Sequence, residues 1–215
     1  MNVTIAVRGT DSVETLAERA RVTAVVSIDG PQAVSVVHAV TTSVERLRAG
    51  LDELHDVEQG PVTWYRVAEV TTGSHRPWFP DGEKRPLVFR ATALVEVYFV
   101  ADAGALGRWV VATSDLPGFS VTGVSWELSP GTRSRAERAA RQTAIAHAVE
   151  QANDYAEALG LSSVEVREID DRSGGTFPQP RVFAMAEAAP DGGDLFMPPV
   201  IEVTTSVDAT FVAVR

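Results

Sequence analysis

Between Ala136 and Gly160 the chain reads AERAARQTAIAHAVEQANDYAEALG, with alanine at nearly every fourth position. Residues four apart share one side of an α-helix, and alanine is the strongest helix former. A helix whose inner side is alanine is thin there, so it can lie very close to a sheet. Ser129-Pro130 supplies its start, a capping hydroxyl followed by a first-turn proline. Gly160 suits the left-handed residue that closes a helix, with Leu161 packing back. The helix leads straight into a strand-like run, Val164–Ile169.

The rest of the chain is punctuated more coarsely. Val3, Ile5 and Val7 alternate with smaller or polar residues, as in a half-buried strand. A polar turn is predicted around Asp11 and Ser12, then a second strand from Ala20 to Ile28. Asp29-Gly30-Pro31 reads as a helix start, with Pro31 at the first helical position. Val34, Val37, Val40, Val44, Leu47, Leu51 and Leu54 then form one apolar helical stripe, which Gly50 weakens near its end. Val62–Val70 and Leu87–Val100 read as a hairpin whose long tip spans Ser74–Arg85. Phe89, Ala91, Ala93, Val95, Val97 and Phe99 share one side of its second strand. Ala103–Leu116 reads as a short helix with Leu106, Trp109 and Val110 inward, and Phe119–Leu128 as a strand. A Gly/Pro-rich loop at 170–199, with an apolar island at Val182–Met185, precedes the last strand, Ile201–Val214. The order implies an α+β fold: a mostly antiparallel sheet with two long amphipathic helices and one short helix packed on one face. The 215 residues fit one domain, 1–215.

Charge and composition narrow the partners. A formal net charge of −10 argues against nucleic acid or an anionic membrane as the main partner. The absence of cysteine excludes disulfides, thiolate metal sites and cysteine nucleophiles. No stretch reaches the roughly 18 apolar residues of a membrane span. The N-terminus has neither a basic segment nor a long apolar one, which predicts a cytoplasmic location.

No phosphate loop, dinucleotide fingerprint, zinc-protease helix or nucleophile elbow is present in the sequence. Gly123-Val124-Ser125 comes nearest to an elbow but lacks the second glycine, and it reads as strand. Of the four histidines, His38 and His147 fall mid-helix as packing or border residues, and His75 lies in the hairpin tip. His55 sits among Asp52, Glu53, Asp56 and Glu58, which is oxygen-rich but matches no metal-loop spacing. Asp191 and Asp194 read as a turn. Arg133, Arg135, Arg138 and Arg141 crowd the start of the alanine helix, as an anion patch or as partners in salt bridges. No catalytic, metal or cofactor residue is assigned. Any enzyme would have to use strand carboxylates such as Glu96, Glu127 or Glu165.

Four residues are candidate interface anchors. Trp78-Phe79, framed by Pro77 and Pro80, places two large aromatics at a hairpin tip, and Phe196-Met197 precedes Pro198-Pro199. Leaving such groups wet costs about 25 cal/mol per Å². They either fold under their own loop or enter a neighbouring molecule.

Three stretches together are similar to one family. They are FRATALVEVYFVADAGALG (Phe89–Gly107), VTGVSWELS (Val121–Ser129) and AVEQANDYAEALG (Ala148–Gly160), with VIEVTTSVDATFVAV (Val200–Val214) matching its closing strand. The chain resembles the SIMPL domain family, whose biochemical role is undefined and which includes a bacterial periplasmic immunogenic protein. Gln151 stands where that family's alanine helix commonly has lysine. The resemblance implies ring-like or channel-like homo-oligomers and, for some members, a link to oxidative-stress tolerance. The resulting expectation is a non-enzymatic, self-associating protein. The alternative is a small-molecule or peptide binding module with a groove between helices and sheet near Trp64, Tyr65 and Trp109.

Overall fold

Period-two alternation and two amphipathic helices build this fold. The computed structural model describes residues 3–78, 85–171, 179–180 and 196–214. The order is β1 (Val3–Leu16), β2 (Arg19–Gly30), α1 (Ala33–Leu54), β3 (Val62–Val67), β4 (Thr71–His75), β5 (Val88–Val100), α2 (Ala103–Thr113), β6 (Phe119–Glu127), α3 (Pro130–Ala158), β7 (Ser163–Asp170), β8 (Gln179–Pro180) and β9 (Val200–Val214). The class is α+β with antiparallel sheets, as the element order implies. The strands do not form one platform, however. They divide into two sheets, each with its own helices and within its own compact unit.

The first unit holds β1, α3, β7, β8 and β9. Its sheet runs β1-β9-β7, with β8 pairing β9. The turn predicted at Asp11 and Ser12 is absent: β1 continues to Leu16, and Asp11 and Ser12 lie opposite Thr205 and Thr204 of β9. A long partner strand supplies the backbone bonds that a polar segment would otherwise seek in a turn. Seven alternate residues of β9, Ile201 to Ala213, are buried. The other face is polar, with Arg8 donating to both Asp208 oxygens at 2.7 and 2.8 Å. The Thr10 and Ser206 hydroxyls meet beside them at 3.1 Å.

Helix α3 covers the buried face. Ala136, Ala140, Ala144, Ala148, Ala152 and Ala156 are its buried residues, so the alanine row is the contact. The spacing by four would bring Leu159, three residues past Ala156, close to that row, but it is the exposed residue that caps the helix. Gly9 lies under the row. A β-carbon there would overlap the Ala144 carbonyl oxygen, 2.8 Å from its carbon and 3.0 Å from the Ala148 nitrogen. Glycine against alanine thus lets helix and strand backbones nearly touch. Both helix ends form as the residues dictate. Ser129 Oγ accepts from Thr132 N at 3.2 Å. Gly160, at φ 70°, turns the chain so that Leu161 N donates to Ala156 O at 2.9 Å.

The second unit holds β2 to β6, α1 and α2. Its sheet order is β3-β5-β2-β6, with β4 continuing the β3 side of β5. Helix α1 lays Val36, Val40, Val44, Leu47 and Leu51 on the side of β2 and β5 that carries Ala20, Val22, Ala24, Val26, Ala91, Ala93, Val95, Val97 and Phe99. Pro31 does not open α1. Strand β2 extends to Gly30, with Asp29 opposite Arg90, and the helix begins at Ala33 without a side-chain cap. Helix α2 is shorter than expected and is capped by Asp102, whose carboxylate accepts from Ala105 N at 3.1 Å. Leu106 and Trp109 are buried and Val110 is half-buried, as expected. The Trp109 ring lies 5.3 Å from Phe99 and 5.6 Å from Phe119. The island at 182–185 lies outside the described residues.

Two stability outcomes follow from α3. Gly9→Ala should lower unfolding free energy by roughly 2–3 kcal/mol, because backbone rather than a side-chain tip must give way. Ser129→Ala should cost about 1 kcal/mol through the lost cap. Urea titration followed by circular dichroism measures both. A Gly9→Ala midpoint equal to that of the natural protein would contradict the close approach.

Candidate functional site

The alternation that buries one face of the second unit's sheet turns a different set of residues outward. Register aligns them in rows. Trp64, Tyr98, Arg21 and Ser125 lie side by side on β3, β5, β2 and β6. Arg66, Glu96 and Thr23 form the next row. Leu94 pairs with Val25 beyond it. Neither α1 nor α2 packs on this side, and Leu94 stays 64% exposed and Trp64 43%.

The charges here are interlocked. Arg19 stacks over the Tyr98 ring at 5.0 Å and donates to Glu127 at 3.0 Å. Arg21 lies 3.5 Å from Glu127 and 3.7 Å from Glu96. The Tyr98 hydroxyl is the main influence holding Arg21 in its charged form, and these carboxylates add to it against the opposing effect of burial. Trp64 meets the Tyr98 ring edge-on at 5.4 Å. Aromatic rings, arginines, carboxylates and an exposed leucine on one side of the sheet have the composition of a protein–protein contact.

The sequence-derived candidates divide. Trp78 is 84% exposed and Met197 62%. Phe196 is half-buried against the core of the second unit, near Gly107 of α2. Phe79, Asp191 and Asp194 lie outside the described residues. The groove drawn around Trp64, Tyr65 and Trp109 does not exist as one site. Tyr65 and Trp109 pack on the helix side of the sheet, whereas Trp64 belongs to the outward row. Adjacent strand residues point oppositely, so Trp64-Tyr65 could never share a wall. The Tyr65 hydroxyl donates to Asp52 of α1, and this bond is the main cause holding its proton more tightly than usual.

Other candidates have structural partners. Asp56 accepts from the backbone of Glu58 and Gln59 at 2.8 and 3.0 Å, which holds its carboxyl below the usual range. Among the described residues, no group of three or more His, Asp or Glu is arranged to hold a metal ion. His147 uses Nδ1–H to reach the Thr10 carbonyl at 3.1 Å. Arg141 lies 3.3 Å from Asp171, and Arg135 donates to Thr132 at the helix start. Ser125 is mid-strand, its hydroxyl 3.5 Å from the Arg21 carbonyl. Glu96 and Glu127 belong to the charged cluster above, and Glu165 is exposed on β7.

A groove of about 420 Å³ opens elsewhere in the second unit, between α1 and α2. Leu47, Gly50 and Leu54 line one wall, and Trp109, Ala112 and Leu116 the other. Arg46, Glu53 and Arg108 also border it. The residues that sequence reasoning missed, Arg19, Arg21, Leu94 and Tyr98 on the open face and Arg46 and Arg108 at the groove, become neighbours only through strand register and helix placement. Alternation identifies the outward set of one strand but not what lies beside it.

Among the described residues no helix is long and apolar enough to cross a membrane. No curated protein matches the chain. A family model does: that of SIMPL, described as a protein of unknown function (DUF541), over residues 5–211. With the match running from β1 into β9 through every helix, the chain belongs to the SIMPL family.

Proposed function

We propose that this chain acts as a non-enzymatic protein that associates with copies of itself through the open face of the second unit's sheet. The observation that carries the reading is the row Trp64–Tyr98–Arg21 beside exposed Leu94, with Arg19, Glu96 and Glu127 on the same surface. A surface carrying both signs of charge suits a two-fold contact, in which the arginines of one copy meet the carboxylates of the other. The apolar centre supplies affinity, and the charges fix register. Trp78 and Met197 offer further exposed apolar groups for the same association. A role in stress tolerance, implied by the family resemblance, belongs to this proposal as an activity of the assembled form.

Light scattering on the purified chain at tens of micromolar is the test. The expected result is a mass above that of the monomer. Trp64→Ala and Leu94→Glu should each weaken association by about 30-fold or more, the equivalent of about 2 kcal/mol at a central contact. Their circular dichroism should remain unchanged, because both side chains stand away from the core. A strictly monomeric natural protein would overturn the proposal.

A further inference from the structure

The groove between α1 and α2 has a length, a lining and a charge pattern that together describe a ligand. The two helices run antiparallel along it. At one end, Ser43 of α1 donates to the carbonyl of Pro117, just past α2, at 3.0 Å. At the other, Pro61, past the end of α1, accepts from Val100 N, just before α2, at 3.0 Å. Arg46 therefore stands toward the end of the groove where Leu116 lies, whereas Glu53 stands toward the end where α2 begins and where Arg108 lies. At 1.5 Å per residue, the span from Arg46 to Leu54 is about 12 Å.

The lining between these ends is apolar and open. Leu47, Leu54, Trp109 and Leu116 supply it. Gly50 sits midway on the α1 wall, and a β-carbon there would meet no atom within 4 Å. A glycine inside a helix weakens it, so open space at this position leaves the groove free at the expense of the helix. Arg46, Glu53 and Arg108 give the lining one net positive charge. The Arg108 guanidinium and the Asp102 carboxylate both stand beside Gly104 at the start of α2, whereas Arg46, toward the other end, makes no ion pair among the described residues. A volume of about 420 Å³ lies within the range of small-ligand sites.

We propose that this groove binds a monoanionic amphiphile: an unbranched apolar body about 10 Å long, set along Gly50 and Trp109, with a carboxylate at Arg46. The site is distinct from the proposed self-association face, since none of its lining residues belongs to the outward rows of the sheet.

Calorimetric titration of the full chain with decanoate, decanol and decylammonium tests this directly. Decanoate should bind below its micellar concentration, at least tenfold more tightly than decanol, and decylammonium should be weakest. Gly50→Leu should fill the groove and reduce decanoate affinity at least tenfold. Gly50→Ala, which adds only a methyl and favours the helix, shows whether position 50 tolerates substitution and should melt no lower than the natural chain. Arg46→Gln should erase the preference for decanoate over decanol while leaving decanol binding unchanged. Vesicles of phosphatidylcholine with phosphatidylglycerol should not sediment the protein, which separates a free amphiphile from a lipid surface. Failure of decanoate to bind, equal binding by Gly50→Leu, or equal affinity for decanoate and decanol in the natural chain would overturn the proposal. None of these readouts depends on oligomeric state, so failure of the self-association reading would be seen separately.

Discussion

The spacing between Gly9 and the alanine row of α3 sets the geometry of the first unit. Interiors pack at crystal-like density, so a helix and a sheet normally stand apart by the depth of two side chains. Here one side contributes a methyl group and the other a hydrogen, and strand backbone reaches helix backbone. The row itself is uniform. Rows of residues four apart run obliquely to a helix axis, and long strands twist, so such a row can stay in contact along much of a strand. With α3 fixed on one face, the residues alternating with the core must face away. The Arg8–Asp208 pair and the Thr10–Ser206 contact stand there as consequences of that choice. As an exposed ion pair, Arg8–Asp208 adds little stability of its own.

The second unit follows ordinary packing. Valines and leucines of α1 fill the space above β2 and β5, and an aromatic trio, Phe99, Trp109 and Phe119, closes the core under α2. Bulky side chains hold elements apart, and where α1 carries glycine instead of a larger residue the gap stays open beside Trp109. Among the described residues, no helix of this unit lies on the opposite side of the sheet. Arg19 and Arg21 reach Glu127 and Glu96 locally, and the same mixture of charges suits a self-complementary contact. The net charge of −10 therefore says little about this face, where both signs are present.

Much of this architecture was legible in the residues. The alanine row, the Ser129 cap and the Gly160 closure depend on neighbours within one helix, and all three appear as read. The buried sides of β5 and β9 follow from strict alternation. What escaped is what strands do with one another. Asp11 and Ser12 looked like a turn because both are polar, but opposite a long β9 both continue the strand, Ser12 on the wet face and Asp11, half-buried, on the side of Gly9 and Thr205. Asp29 looked like the approach to a helix because a proline follows closely, but Arg90 across the ladder holds it in β2, its two oxygens 2.6 and 2.7 Å from the guanidinium. The division into two sheets was invisible for the same reason. Periodicity tells which face of a strand is buried, not which strand lies beside it. Site residues suffered most: Trp64 and Tyr65 are adjacent in sequence and face opposite ways, whereas Trp64 and Tyr98 are distant in sequence and touch.

The most direct measurement of the central claim is a nuclear Overhauser spectrum of the folded chain at the crossing of β1 and α3. Cross-peaks between the Gly9 α-protons and protons of Ala144 and Ala148 are the predicted result, because no side chain separates the two backbones. A fully assigned spectrum in which the Gly9 α-protons show contacts only to their neighbours in the sheet would contradict it.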